Sequence, residues 1–270
     1  MHNFFIPQSD LLSENVVSLN TLKEFNDDLT YYAFPPKGAT IGFFEKSDVL
    51  INDNEIIISP NKHATPKTVF IGKHAQLIKV RYKSYVKKVS IHFKEFAINH
   101  FFKNYFTLFG SNEKIKVFET DRLGLHSSVL FENANNEDFS YLEEYLENNF
   151  EVTAAGQVER IISIIEYNPT VSIREICNEV YLTERTINRH FHKYMGCSVA
   201  DYKRIVRFNK IVSDKLSNNN KKIRDLSFEE EFYDASHLYK FIKKITNINP
   251  GKFFSQIQNF GSEDRVYIRT

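Results

Sequence analysis

The stretch VSIREICNEVYLTERTINRHFHKYMGCS, from Val171 to Ser198, decides how the last third of this 270-residue chain is read. Ile173, Ile176, Cys177 and Val180 recur at i, i+3, i+4 and i+7, which is one apolar face of a short helix. Ser172 opens that helix and Glu175 follows three residues later, so a hydroxyl and a carboxylate stand at the two positions of a capping box. The helix is predicted to stop near Val180. A Tyr181-Leu182 connection leads to Thr183, a second N-cap, after which Ile187, Phe191 and Tyr194 supply a buried stripe. Arg185, Asn188, Arg189 and Lys193 are expected on the opposite face. Groups three and four residues apart share one side of a helix, so these guanidinium, amide and ammonium groups can reach base edges and phosphates together. The pattern is a helix-turn-helix.

A second copy begins near Ile223 and Leu226 and continues as FYDASHLYKFIKKITNINPGKFF from Phe232 to Phe254. Asp234 is its N-cap, and Leu238, Phe241, Ile242 and Ile245 form its apolar stripe. Ala235, Ser236, His237, Lys240 and Lys243 are the candidate contacts to nucleic acid. Asn249-Pro250 places a capping residue ahead of a proline at the first position of a last short helix. The phrase F-Y-D-x-S-H-L, followed by a basic-aromatic run and N-P, resembles the C-terminal signature of AraC-type transcriptional regulators. The resemblance implies two readers, joined by a stiff helix over residues 199–216, that enter successive major-groove segments of promoter DNA. Along that spacer Val199, Tyr202, Ile205, Val206, Phe208, Ile211, Val212 and Leu216 are expected to be buried, with Lys203, Arg204, Arg207 and Lys210 riding outside.

The chain departs from the family pattern at several positions. Glu231 stands in the turn where a glycine is usual, Ser227 replaces a small alanine, and Lys240 replaces an arginine. Glu229, Glu230 and Glu231 are expected to oppose phosphate beside the second reader, so base readout is assigned mainly to the first unit and anchoring to the second.

Charge is distributed to match. Residues 169–254 hold 16 Lys and Arg against 10 Asp and Glu, a net +6, which leaves −5 for the rest of a chain whose total is +1. A basic segment attached to an acidic one suits a protein of which one domain meets a polyanion. The two cysteines, Cys177 and Cys197, are not in a C-x-x-C pair and read as reduced structural thiols. The N-terminus lacks the basic and long apolar regions of an export signal, and no stretch approaches 18 apolar residues, so a cytoplasmic protein without a membrane partner is expected.

Residues 1 to about 93 read as strands. Tyr31–Phe34, Ile41–Phe44, Glu55–Ser59 and Thr68–Ile71 are short β-branched or aromatic runs separated by Pro, Gly and Asn turns. Ile78, Val80 and Tyr82 alternate with Lys79, Arg81 and Lys83; Val89, Ile91 and Phe93 alternate with Lys88, Ser90 and His92, so each strand is expected to have one wet face. FPPKGATIGFF, VFIG and VSIHF weakly resemble the sensor domain of one AraC subgroup. His63, His74 and His92 lack the tight H-x-H and carboxylate register of a metal site and read as core or surface residues; no metal or cofactor is expected. Phe96, Phe101, Phe102, Tyr105, Phe106 and Phe109, in a helical stretch from about 94 to 109, read as core before pocket lining.

Two amphipathic helices follow, one carrying Phe139, Leu142, Tyr145 and Leu146, the other Val158, Ile161, Ile162 and Ile165. They are expected either to pair in a homodimer or to pack on the chain itself. The fold class is then α+β: a β-rich sensor domain over 1–110, a helical connector over 111–168, an all-α DNA-binding domain with two helix-turn-helix units over 169–258, and a tail over 259–270. The function expected is a sequence-specific transcription regulator binding double-stranded promoter DNA, with RNA polymerase and a small-molecule effector of the N-terminal domain as further partners. The alternatives are a protein-interaction factor with a degraded second reader, and a β-domain enzyme or binding module with a helical adaptor. No nucleophile–base pair or phosphate loop supports catalysis, so an enzyme is not expected.

Overall fold

The computed structural model describes residues 2–22, 24–25, 27–102, 114–218, 221–260 and 262–269. Tyr105, Phe106 and Phe109 lie outside the described residues. The N-terminal part carries β1 (His2–Phe5), α1 (Asp10–Asn15), β2 (Val16–Leu22), β3 (Leu29–Ala33), β4 (Thr40–Phe44), β5 (Ser47–Asn52) and β6 (Glu55–Pro60). It continues with β7 (Lys67–Ile71), β8 (Ile78–Tyr82), β9 (Lys88–Phe93), α2 (Ile98–Phe101) and β10 (Ile115–Glu119). One sheet runs β1-β2-β9-β4-β7-β10, and a second brings β3, β8, β6 and β5 together, with β6 and β8 parallel. The apolar runs read from the sequence fall on β3, β4, β6 and β7. Pairing adds β1, β2, β5 and β10 to these runs, and Ser9 starts α1 by accepting the N–H of Leu12.

Strand β8 has the alternation expected of it, with Ile78, Val80 and Tyr82 buried between half-buried Lys79 and Arg81. Strand β9 does not have a wet face. It lies between β2 and β4, and Lys88 and Ser90 are buried along with Val89, Ile91 and Phe93. Its apolar side meets Leu19, Ile41, Phe43 and two later helices, while its polar side turns toward other protein groups: Ser90 donates to Asn20 Oδ1, and His92 Nδ1 lies 2.9 Å from Thr40 Oγ1. Gly38, in the β3–β4 loop, sits where a Cβ would come 1.9 Å from the carbonyl oxygen of Phe93, so this crossing of loop and strand admits only glycine.

Two of those later helices are α3 (Ser127–Asn135) and α4 (Ser140–Asn148), and they cover the first sheet. Leu142 and Leu146 of α4 are buried in the same cluster as β9. Helix α5 (Gly156–Tyr167) turns Val158, Ile161, Ile162 and Ile165 into a different core, shared with Ile176, Ile187 and Phe191. Both apolar stripes that offered a dimer surface are therefore spent on the chain's own packing, and α5 belongs with the first reader. Burial of such side chains is worth about 1.5–3 kcal/mol each, so neither stripe is free to re-pair without a large loss.

The C-terminal part runs α6 (Ile173–Val180), α7 (Glu184–Met195), α8 (Val199–Ser217), α9 (Ile223–Glu229), α10 (Ala235–Thr246) and α11 (Pro250–Gln256). The helix starts read from the sequence are where they were expected. Ser172 and Glu175 form the capping box of α6, Thr183 accepts from Thr186 N–H, Asp234 from His237 N–H, and Asn249 from Gly251 and Lys252 N–H. Residues beyond α11 do more than form a tail: Ile257–Phe260 and Ser262–Arg269 are strands, β11 and β12, and β12 pairs antiparallel with β3. Among the described residues no helix is long and apolar enough to cross a membrane.

The turn between the helices of each reader contains a non-glycine residue in the left-handed region, Tyr181 with φ 55° and Glu231 with φ 53°. A side chain there is strained by roughly 1 kcal/mol. Both side chains are exposed, so neither gains much packing in return. Glu231→Gly and Tyr181→Gly should each raise stability by about 1 kcal/mol less the entropy glycine gains on unfolding, a difference measurable by urea denaturation. A loss of stability in either variant would show that the turn is not held at positive φ in solution.

Candidate nucleic-acid interface and interdomain cavity

Helix α7 presents Arg185, Arg189 and Lys193 to solvent, with Thr183 at its exposed N-terminus. The buried side, Ile187, Phe191 and Met195, locks the helix onto α5, α6 and α8. Lys193 lies over the ring of Tyr194, 4.7 Å from its centroid. Asn188 differs from its neighbours. It is half-buried, its amide nitrogen donates to Glu184 O at 3.1 Å, and its Oδ1 accepts the N–H of Val199 at 3.1 Å. Both ends of the amide are thus used to cap α8 and fix it against α7, a role that sequence spacing could not separate from base contact.

Helix α10 exposes Ser236, His237, Lys240 and Lys243, with Ala235 half-buried at its first position. Phe232 sits under this helix with its ring against His237, 5.2 Å between centroids, and the guanidinium of Arg207 lies over the Phe232 ring, 3.7 Å from its centroid. Arg207 also donates to the carbonyl of Glu230. The cations of α8 expected to ride outside are all engaged: Lys203 donates to Val171 O, Arg204 pairs with Asp201, and Lys210 pairs with Glu230 at 2.9 Å.

The three consecutive carboxylates separate for the same reason. Glu230 is 3% exposed and turned toward α8, where burial, a hydrogen bond from Lys210 that opposes it, and the neighbouring Asp214 leave its pKa above the ordinary carboxylate value. Glu229 pairs with Lys221. Of the three, Glu231 is exposed and in no salt bridge among the described residues, so the electrostatic opposition to phosphate is weaker than three free carboxylates would give.

The two parts of the chain share cores. Leu77, Tyr32 and Phe34 of the β part pack with Phe208, Leu238, Ile242, Ile245 and Phe253 of the second reader, and Leu77 N–H donates to Ile245 O at 3.2 Å. Phe96 packs into the first reader's core, and Asn99 donates to Tyr194 O. Between these contacts lies a cavity of about 400 Å³. Its floor comes from both sheets, with Tyr31, Thr40, Val80, Lys88 and His92. Phe34, Pro35 and Lys37 of the β3–β4 loop form one side, and Val206, Asn209, Lys210 and Ser213 of α8 form the other.

A latch closes one edge. Lys37 Nζ lies 2.8 Å from Glu166 Oε2 and 3.4 Å from Glu95 Oε1, and Tyr202 donates its hydroxyl to Glu166 Oε1 at 2.9 Å. Burial pushes the Lys37 ammonium down, but the hydrogen bond and charge of Glu166, helped by Glu95, outweigh it and hold its pKa above the ordinary value. Asn209 adds a bond to Pro35 O at 2.9 Å. None of this was legible in the sequence, because the residues come from four separate segments. His74 and His92, read as core or surface histidines, both stand on the cavity wall, while His63 is exposed.

Residues 176–256 match the helix-turn-helix domain family. Residues 176–256 therefore carry an AraC-type helix-turn-helix domain, as the signature phrase implied. In fold the chain is similar to ToxT from Vibrio cholerae, at 13% identity and a TM-score of 0.51, over 88% of this chain and 98% of that one. A second ToxT structure, bound to (E)-4-(8-methylnaphthalen-1-yl)but-3-enoic acid, gives 12% identity and a TM-score of 0.50 over 88% and 98%. The AraC-like transcriptional activator CuxR aligns at 11% identity over 77% of this chain and 86% of its own, with a TM-score of 0.23. None of the curated proteins matches the sequence significantly. The ToxT likeness shows the α+β arrangement of a β-rich N-terminal part and a helical C-terminal part.

Burial holds the His74 imidazole neutral, moving its pKa from 6.5 to about 4 against a hydrogen bond to Gln76 that raises it, with Lys114 lowering it further. A depressed folded pKa means stability that is present above 6.5 and lost as pH falls toward 4. His74 alone should cost about 2 kcal/mol between pH 7 and pH 5. Urea denaturation at the two pH values should show that loss in the native protein and a smaller one in His74→Gln; equal losses would place the histidine in contact with water.

Proposed function

We propose that this chain binds specific promoter DNA through α7 and α10, and that an apolar acid held in the interdomain cavity adjusts how firmly the β part grips the two readers. The observation that carries the reading is the double use of α8. That helix fixes the separation of the readers and is also one wall of the cavity, so an occupant touches the element that sets DNA geometry. Major-groove segments on one face of B-DNA recur about every 34 Å, so small rotations of α8 change whether both readers seat at once.

The exposed face of α7 supports base readout by Arg185 and Arg189, with Lys193 and Thr183 at the phosphates. Lys240, Lys243, His237 and Ser236 suit anchoring, and Ala235 leaves room for close approach. The well-capped α10 and its buried Leu238, Ile242 and Ile245 favour a working second reader over a degraded one. An RNA polymerase contact or a homodimer would use surfaces other than the α4 and α5 stripes.

The ligand class follows from the cavity's walls. Apolar Phe34, Val80 and Val206 accompany Lys37, Lys88 and Lys210, a combination suited to a hydrocarbon body with an acidic head. ToxT, of similar fold, has been solved with an apolar carboxylic acid. A ligand carboxylate meeting Lys37 would compete with Glu166, and so would release Glu166 and Tyr202 from the latch. Unequal affinity for latched and released states is what such an effector needs.

Tests belong on the full chain, since Leu77 and Phe34 complete the second reader's core. By fluorescence anisotropy, Arg189→Ala should cost about 1–3 kcal/mol of specific binding and relax sequence preference. Lys240→Ala should weaken all sequences alike and shallow the salt dependence, and Asn188→Ala should lower the melting temperature. A change of preferred sequence in Lys240→Ala with none in Arg189→Ala would reverse the assignment. Dodecanoic acid should shift the DNA affinity of the native chain saturably and leave Lys37→Ala unaffected. Equal shifts in both would remove Lys37 from the acid's site.

A further inference from the structure

The two readers repeat more than their apolar stripes. Ile173, Arg174, Glu175, Ile176 and Glu179 of α6 correspond, at one constant offset, to Ile223, Arg224, Asp225, Leu226 and Glu229 of α9. In both helices the two aliphatic residues pack into the reader's core, while the arginine and the later glutamate are exposed. We propose that Arg174 and Arg224 each hold one backbone phosphate, and that the two phosphates lie one turn of the duplex apart. The inference rests on the DNA-binding reading given above and adds to it a contact surface on the first helix of each unit.

The exposed charge of each first helix has a polarity, and the polarity is the same in both. At the late end the glutamates are paired within the chain, Glu179 with Arg160 at 2.6 Å and Glu229 with Lys221. At the early end Arg174 and Arg224 make no side-chain hydrogen bond or salt bridge among the described residues. Glu175 turns back to accept the N–H of Ser172, and in the second unit exposed Lys222 adds a cation beside Asp225. The spacer repeats the arrangement. Lys203 of α8 donates to the carbonyl of Val171, and Lys215 to that of Lys221 at 2.8 Å; Val171 and Lys221 are related by the same offset as the arginines. One lysine from α8 thus fixes the start of each first helix and places a further positive charge there.

With α7 and α10 in the major groove, the first helix of each unit crosses the phosphate ridge. The glutamate end is unfavourable against that ridge, so the arginine end is the one that meets it. A guanidinium stays charged at every working pH and matches two phosphate oxygens with two donors. Both arginines hold the same place in units that read successive groove segments, so their phosphates are separated by the repeat of the duplex, roughly 10 base pairs. Contacts to phosphate fix register and raise affinity without reading sequence.

The test uses the full chain and a duplex enriched by that chain from a random pool. In anisotropy titrations across potassium chloride concentrations, Arg174→Ala and Arg224→Ala should each weaken the enriched duplex and an unrelated one by the same factor, about three- to tenfold. Each should also shallow the salt slope by about one, with the melting temperature unchanged. Arg174→Lys and Arg224→Lys should recover most of the loss, since a phosphate accepts either cation. A scan of single methylphosphonates should find two sensitive phosphates roughly 10 base pairs apart, one losing its effect in Arg174→Ala and the other in Arg224→Ala. Unchanged salt slopes, the same phosphate lost in both variants, an altered sequence preference, or a fall in melting temperature that accounts for the weaker binding would overturn the proposal while DNA binding by the native chain stood. Failure of the native chain to enrich any duplex would remove both.

Discussion

Helix α8 is buried against three neighbours at once, and the rest of the structure depends on that packing. Val199, Tyr202 and Val206 belong to the first reader's core, Phe208, Ile211 and Val212 to the second's, and the flank with Val206, Asn209 and Lys210 closes the cavity. A 19-residue helix with so little free surface cannot bend at one reader without disturbing the other or the β part. Stiffness in the spacer is therefore a consequence of its burial. At its N-terminus Ser198 caps the helix by accepting the N–H of Asp201, and Asn188 of α7 accepts the N–H of Val199, which ties the two helices together.

The junction between the parts is unlike a simple linker. Leu77 and Phe34 fill space inside the second reader, and β12 returns from the C-terminus to extend the sheet at β3. Contacts of this kind make the β part a structural component of the reader. The polar bonds at the cavity edge, Lys37 to Glu166 and Asn209 to Pro35, are fewer and partly exposed, so each is worth little alone in water. Their significance lies in placement. They sit where a ligand can exchange one partner for another, while the apolar contacts keep the parts together.

Much of the C-terminal domain was legible in the residues. Helix limits, N-caps and the long spacer follow from local chemistry, a hydroxyl three residues before a carboxylate and a 3.6-residue apolar period, while the left-handed turn at Glu231 was implied by the resemblance to AraC-type regulators, where a glycine is usual. The exposed cations of α7 and α10 were legible for the same reason, since helical periodicity assigns faces before any tertiary contact is known. The β part was read less completely. Strand β9 alternates in polarity, yet both faces are covered, because alternation reports which side differs and not what lies against it.

The sequence by itself determined the two helix-turn-helix units, their caps and the asymmetry of charge, because each is set by residues within about one helical turn or by a sum over a segment. Tertiary structure alone decided what the apolar stripes of α4 and α5 face, which of three adjacent glutamates is buried, and that Asn188 caps a helix instead of facing solvent. It alone also assembled Lys37, His74, Glu166 and Lys210 around one cavity from segments far apart in the chain. Amphipathic periodicity fixes that a face is buried but carries no label for its partner. A cavity, being space between segments, has no local pattern to read.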